Sequence, residues 1–261
     1  MPGFDTFNPS EKALGFIRTS QLQYECANNN EPSTPFLESV GHNTTSPRWV
    51  IEMKLIFIAG SWGSGTTAVV GALDSLGVPT LGPHFLSSDP RTHNTFELIP
   101  FRELIHQYVD GSTIKHKNNY HSEFVQALEK FKTQLENTVL PSQPDTKLEL
   151  IALKMPLASI CLPEICSTFK TKIIVVHRSF EEIEACRLRR NWKPRFGSLG
   201  ARHIYSKIFS DLFRCKLSFL GVSYGDFVSN TNQSLGTIIE YCDIEYLRNN
   251  MRAAEAFVNA R

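Results

Sequence analysis

The chain has 261 residues, 41% of them apolar, with 27 lysines and arginines against 26 aspartates and glutamates, a formal net charge of +1. That length suits one large α/β domain, and so even a balance leaves no overall field to hold nucleic acid or an anionic membrane surface. No apolar run approaches the roughly 20 residues that span a bilayer, so no membrane partner is expected.

Residues 1 to 50 are rich in Asn, Ser, Thr and Pro, and the stretches CANNNEPSTPF and GHNTTSP read as loops. They form an expected N-terminal arm or lid with one short helix near Ser10 to Ile17, and residues 51–261 form the domain. The opening MPGFDTFNPSEKALGF lacks a basic start followed by an apolar stretch, which points to a cytoplasmic protein. In that setting the six cysteines, with no CxxC pair among them, are expected to be reduced. The sequons at Asn43 and Asn232 are read as chance.

From Lys54 the run LIFIAG is continuously apolar and ends in glycine, as a buried parallel strand does. It opens into GSWGSGTT and then AVVGALDSLGV, a helical pattern with Gly77 as its stop, so the order is strand, glycine-rich loop, helix. Helices are predicted over 97–109 and 122–138, the second capped by Ser122 and carrying the stripe Phe124, Leu128, Phe131, Leu135. A loop at 141–147 precedes the strand LELIALK, which ends at Lys154. KIIVVHR is the next strand, SFEEIEACRLRR the helix after it, and 199–216 a further helix. A last strand is predicted over 219–227 and a last helix over Leu235 to Tyr241. Strands alternating with helices imply a central parallel sheet covered on both faces.

The loop Gly60-Ser61-Trp62-Gly63-Ser64-Gly65-Thr66-Thr67 has phosphate-loop spacing, with Thr66 where the lysine of G-x-x-x-x-G-K-[ST] belongs. Its glycines let successive N–H groups converge on an anion, and the following helix N-terminus adds partial positive charge. Hydrolysis of a nucleoside triphosphate also needs that lysine and a strand-end carboxylate for Mg²⁺. Here the neighbouring strand ends in His177-Arg178. An anion held by arginine in place of a metal is therefore expected. His116 and His121 lack a third ligand nearby and are read as ordinary surface histidines.

These motifs resemble the sulfotransferase family that uses the donor PAPS (3′-phosphoadenosine 5′-phosphosulfate), in its bacterial small-molecule branch. Ser64-Gly65-Thr66-Thr67 followed by AVVGALDSLGV resembles the family's 5′-phosphosulfate loop and first helix. Lys154-Met155-Pro156 resembles its K-D-P, VVHRSFEEIEACRLRR its 3′-phosphate motif, and VSYGDF its V-x-Y-E-D-L strand. The resemblance covers about residues 53 to 245 in family order. It implies transfer of a sulfuryl group from PAPS to a hydroxyl or amino group of a small molecule, with PAP as product and no metal. It implies cofactor contacts from Ser61, Trp62, Gly63, Ser64, Gly65, Thr66, Thr67, Arg178 and Cys186. It also implies a Glu or His base, Glu97 first, with His84 or His93 as alternatives, and Lys154 at the transferring group.

Three positions depart from the pattern: Gly63 stands where the family has Lys or Arg, Cys186 where it has Ser, and Gly225 where it has an acid. A degenerate kinase or NTPase, or a PAP-binding homologue without catalysis, are the competing expectations. From Arg187 to Lys207 seven basic residues occur without an acidic one, mostly expected as a solvated face.

Overall fold

The computed structural model describes residues 53–89, 92–117, 121–139, 150–245 and 248–260. All of them belong to one compact unit. The predicted arm, its short helix and the 141–147 loop lie outside the described residues.

The chain builds four parallel strands into a sheet. Strand β1 (Lys54–Ala59) leads to helix α1 (Thr66–Ser75), then to a ribbon of β2 (His84–Leu86) and β3 (Asn94–Leu98). Helix α2 (Ile99–Tyr108), the small hairpin β4 (Val109–Asp110) and β5 (Lys115–His116), and α3 (His121–Val139) follow. Next come β6 (Leu150–Lys154), α4 (Leu162–Thr168), β7 (Lys170–His177) and α5 (Phe180–Arg189). The chain ends with α6 (Ser198–Arg214), β8 (Phe219–Ser223), α7 (Tyr224–Ser229), α8 (Thr231–Cys242) and α9 (Arg248–Asn259). The sheet order is β6-β1-β7-β8, all neighbours parallel.

Strand periodicity of two sends alternate side chains to opposite faces, and two cores result. Leu55, Phe57, Ile151, Leu153, Ile173 and Val175 pack on the side of α2, α3, α4 and α6. Ile56, Ile58, Ala152, Ile174 and Val176 pack on the side of α1, α8 and α9. Each large side chain so buried contributes about 1.5 to 3 kcal/mol, and Phe57 is fully enclosed. The sequence pattern of continuous apolar strands flanked by helices is thus realised as an α/β fold with a central parallel sheet.

Three local expectations change. Residues 97 and 98, expected to open the helix over 97–109, end β3 instead, because that strand pairs antiparallel with β2 and the helix begins at Ile99. The last strand stops at Ser223, whose hydroxyl accepts from the N–H of Asp226 and caps α7. Ser122 lies within the first turn of α3 and is not its cap. Helix α9 was not anticipated. It packs on α1, where Gly71 leaves the room that the Phe257 ring fills, and Asn250 Nδ2 donates to the carbonyl of Leu76 at 3.0 Å.

Candidate active site

At the carboxyl ends of β1, β6 and β7 lies a cleft of about 430 Å³. One side is the loop between β1 and α1. Its shape rests on glycine: φ is +76° at Gly63 and +101° at Gly65, where a Cβ would also overlap the ring of Tyr224. Helix α1 has no side-chain cap and no acidic residue in its first turn. Among the described residues the N–H groups of Gly65, Thr66 and Thr67 have no acceptor, so the helix N-terminus offers both free donors and partial positive charge to the cleft.

The second side is α5 and the turn after it. Arg178 directly follows β7, lies over the Tyr224 ring at 4.6 Å and pairs with Glu182 at 3.3 Å. Its Nε is buried without a hydrogen-bond partner. Arg189, Arg190 and Arg195 line the same cleft. Arg190 pairs with Asp89 at 3.0 Å and lies over Trp192. Trp62 meets Phe196 edge-on with centroids 4.8 Å apart, and Trp192 closes on the same ring, giving an aromatic wall beside the arginines.

The third side carries an ion-pair network. Lys154, at the end of β6, is only 3% exposed and Glu97, on β3, only 6%. Lys154 Nζ donates to Glu97 Oε1 at 3.0 Å and to the Thr95 carbonyl at 3.1 Å. Arg102 of α2 donates to Glu97 Oε2 at 2.9 Å, and its guanidinium lies over the Phe85 ring at 4.2 Å. The backbone prepares this meeting. Phe96 holds φ at +56°, strained for a bulky residue, and sinks its ring into the α1 and α9 core while Leu98 enters the opposite core. A regular strand would send residues 96 and 98 to one face; the twist at Phe96 lets Glu97 reach across 57 residues of sequence to Lys154.

Of the residues singled out in the sequence, Trp62, Gly63, Gly65, Thr66, Thr67, Glu97, Lys154, Arg178 and Cys186 line the cleft. Ser61 and Ser64 do not. Both are buried, the Ser64 hydroxyl donating to the Ser61 carbonyl at 2.8 Å and that of Ser61 to the Trp62 carbonyl, so their side chains shape the loop from behind. His84 also lies outside the cleft, bonded to the Thr80 carbonyl at 3.3 Å and packed on Phe96, and the exposed His93 bonds the Ser87 carbonyl. A Cβ at Gly63 would meet Cys186 and Ile183 of α5 at ordinary contact distance, so it is the left-handed backbone, φ +76°, that favours glycine there. Within the basic run, Arg187 pairs with Glu184 and Lys207 with buried Asp211, so only part of it faces the cleft.

Among the basic residues of the lining, Arg102 and His106 escaped sequence reasoning. They are four apart on α2 and share a face, but polar residues at that spacing also describe a solvated helix surface. Burial, and then the charge of Arg102, push the His106 pKa below the usual imidazole value. His116 and His121 bond the Ile160 carbonyl and Glu164, away from the cleft.

The model of the sulfotransferase family matches residues 56–248. Among solved structures, sulfotransferase STF1 from Mycobacterium tuberculosis H37Rv is similar at 15% identity and a TM-score of 0.50, over 78% of this chain and 71% of that one. The sulfotransferase domain of the Synechococcus PCC 7002 olefin synthase gives 16% identity and a TM-score of 0.45, over 77% of this chain and 78% of its own. STF9 from Mycobacterium avium gives 15% identity and a TM-score of 0.43, over 79% and 68%. No curated protein matches the sequence.

Proposed function

The chain belongs to the sulfotransferase family, and from that premise we propose that it moves the sulfuryl group of PAPS to a nucleophilic group of a small molecule, releasing PAP. The observation that carries this reading is the charge of the cleft. Among the described lining residues Arg102, Lys154, Arg178, Arg189, Arg190 and Arg195 face a single carboxylate, Glu97, around an uncapped helix N-terminus. A doubly phosphorylated nucleotide supplies the missing negative charge.

The donor's 5′-phosphosulfate lies on the N–H groups of Gly65, Thr66 and Thr67, its 3′-phosphate on Arg178, and its base against the wall of Trp62, Trp192 and Phe196. Cys186 borders the loop beside Gly63. No step needs a metal, because the strand end that presents a carboxylate in an NTPase presents Arg178 here.

Transfer requires the acceptor in line with the S–O bond, a base for its proton and positive charge for the leaving phosphate. Glu97 takes the proton on a lone pair not used by Lys154 or Arg102, since each carboxylate oxygen has two. Lys154 supplies the charge that the loop lacks at Gly63. A second reading gives the proton to His106, whose lowered pKa keeps the imidazole neutral in the same cleft.

Calorimetry tests the donor assignment. PAP is expected to bind at micromolar concentration without Mg²⁺, and absence of binding overturns the assignment, while Mg²⁺-dependent binding of ATP would favour a kinase or NTPase. Sulfate transfer from PAPS, followed with labelled donor, then separates an enzyme from a PAP-binding homologue.

A further inference from the structure

We propose that the acceptor is an alcohol carrying a carboxylate, and that Arg102 recognises the carboxylate. The inference rests on the PAPS reading above and narrows it to a substrate class.

The cleft has two ends. Arg178, over the Tyr224 ring that lies against Gly65, and Arg195, over the Phe196 ring that meets Trp62, stand with the loop, whereas Lys154, Arg102 and His106 stand with Glu97. At the second end Glu97 offsets only one of two fixed cations, and among the described residues no other carboxylate lines the cleft. A base and one cation suffice for the chemistry, which leaves Arg102 in excess.

Its geometry suits an oxyanion. One amino group is committed to Glu97, the flat face lies on Phe85, and the side chain remains 30% exposed at the cleft. Among the described residues nothing accepts from Nε or the second amino group. A guanidinium oriented on two sides presents that edge as a planar fork, the shape a carboxylate matches. The same field opposes an ammonium, which would enter beside Lys154 and Arg102 with most of its water removed. The partner surface is apolar, from Phe85, Met155 and Leu157, so the body of the acceptor is a short hydrocarbon or ring.

The test uses the full chain saturated with PAP, titrated by calorimetry with three hydroxy acids (glycolate, 3-hydroxybutanoate and 4-hydroxybenzoate), their amides, and 4-hydroxybenzylamine. At least one acid is expected to bind 10-fold or more tightly than its amide, and the amine to bind most weakly. Arg102→Gln is expected to erase the preference of acid over amide, and Arg102→Lys to restore part of it. If no acid outbinds its amide, or if Arg102→Gln keeps the preference, the proposal falls. The ranking on the unaltered chain decides even if a variant fails to fold. Failure of PAP itself to bind overturns the donor assignment instead, so the two failures are distinguishable.

Discussion

The two ends of the cleft solve opposite electrostatic problems. Around the loop, charge is left unbalanced: the N–H groups of Gly65, Thr66 and Thr67 lack acceptors, and Arg189 and Arg195 have no carboxylate partner among the described residues. Around Lys154, the buried ammonium is paired from within by Glu97, both almost closed to solvent, and only the outer, part-exposed Arg102 is left over. The first arrangement tolerates exposed cations because water screens them until an anion arrives. The second must carry its own counter-charge, because a lone buried ammonium is costly. Loss of a group at the first end should therefore show in ligand affinity, and loss at the second in stability and turnover.

The largest effect is expected at the buried pair. Glu97→Leu strands Lys154 and should destabilise the chain by about 3 to 5 kcal/mol in urea unfolding, whereas adding Lys154→Met should recover much of the loss. Glu97→Gln, which keeps a hydrogen-bond acceptor, should lower turnover about 100-fold with PAP affinity intact. A near-normal rate would hand the proton to His106. At the other end Arg178→Ala should weaken PAP about 10- to 100-fold in calorimetry and leave the urea midpoint nearly unchanged.

Gly65→Ala joins the two criteria. The left-handed backbone and the Tyr224 ring both oppose a methyl group, so PAP affinity should fall about 10-fold or more, with a stability loss of about 1 to 2 kcal/mol. The smallest effect is a pH slope. Burial lowers the His106 pKa in the folded chain, so the folded state binds fewer protons than the unfolded one below about pH 6.5. Stability is then fully present above that pH and declines as pH falls through the lowered value. His106→Gln should flatten part of the decline of the urea midpoint between about pH 6.5 and 5, the remainder coming from His116 and His177, which burial also lowers.

Much of this could be read from residues alone. LIFIAG, IIVV and the GSWGSGTT loop announced themselves because each is a local pattern: an apolar run, a glycine spacing, a helix stop. Lys154 was legible as a strand-end cation before Pro156, and Arg178 as the residue after a strand. The ribbon was not, since β2 has only three residues and the alternation of β3 is broken by the left-handed backbone at Phe96. Reading 97–109 as one helix put Glu97 on the wrong element. Ser61 and Ser64 followed the loop motif into the site, but only burial shows that their hydroxyls turn to the loop's own carbonyls.

What the sequence by itself determined is the succession of strands, loop and helices, and the kinds of charge delivered to one sheet edge. Periodicity and glycine preference act within a few residues and need no knowledge of distant partners. What the tertiary structure decided is which of those charges meet. Glu97 finds Lys154 and Arg102 only because β3, paired with β2 outside the central sheet, turns at the strained Phe96 and packs against β6. Whether a carboxylate is solvated or bound to two cations depends on burial and on partners far along the chain.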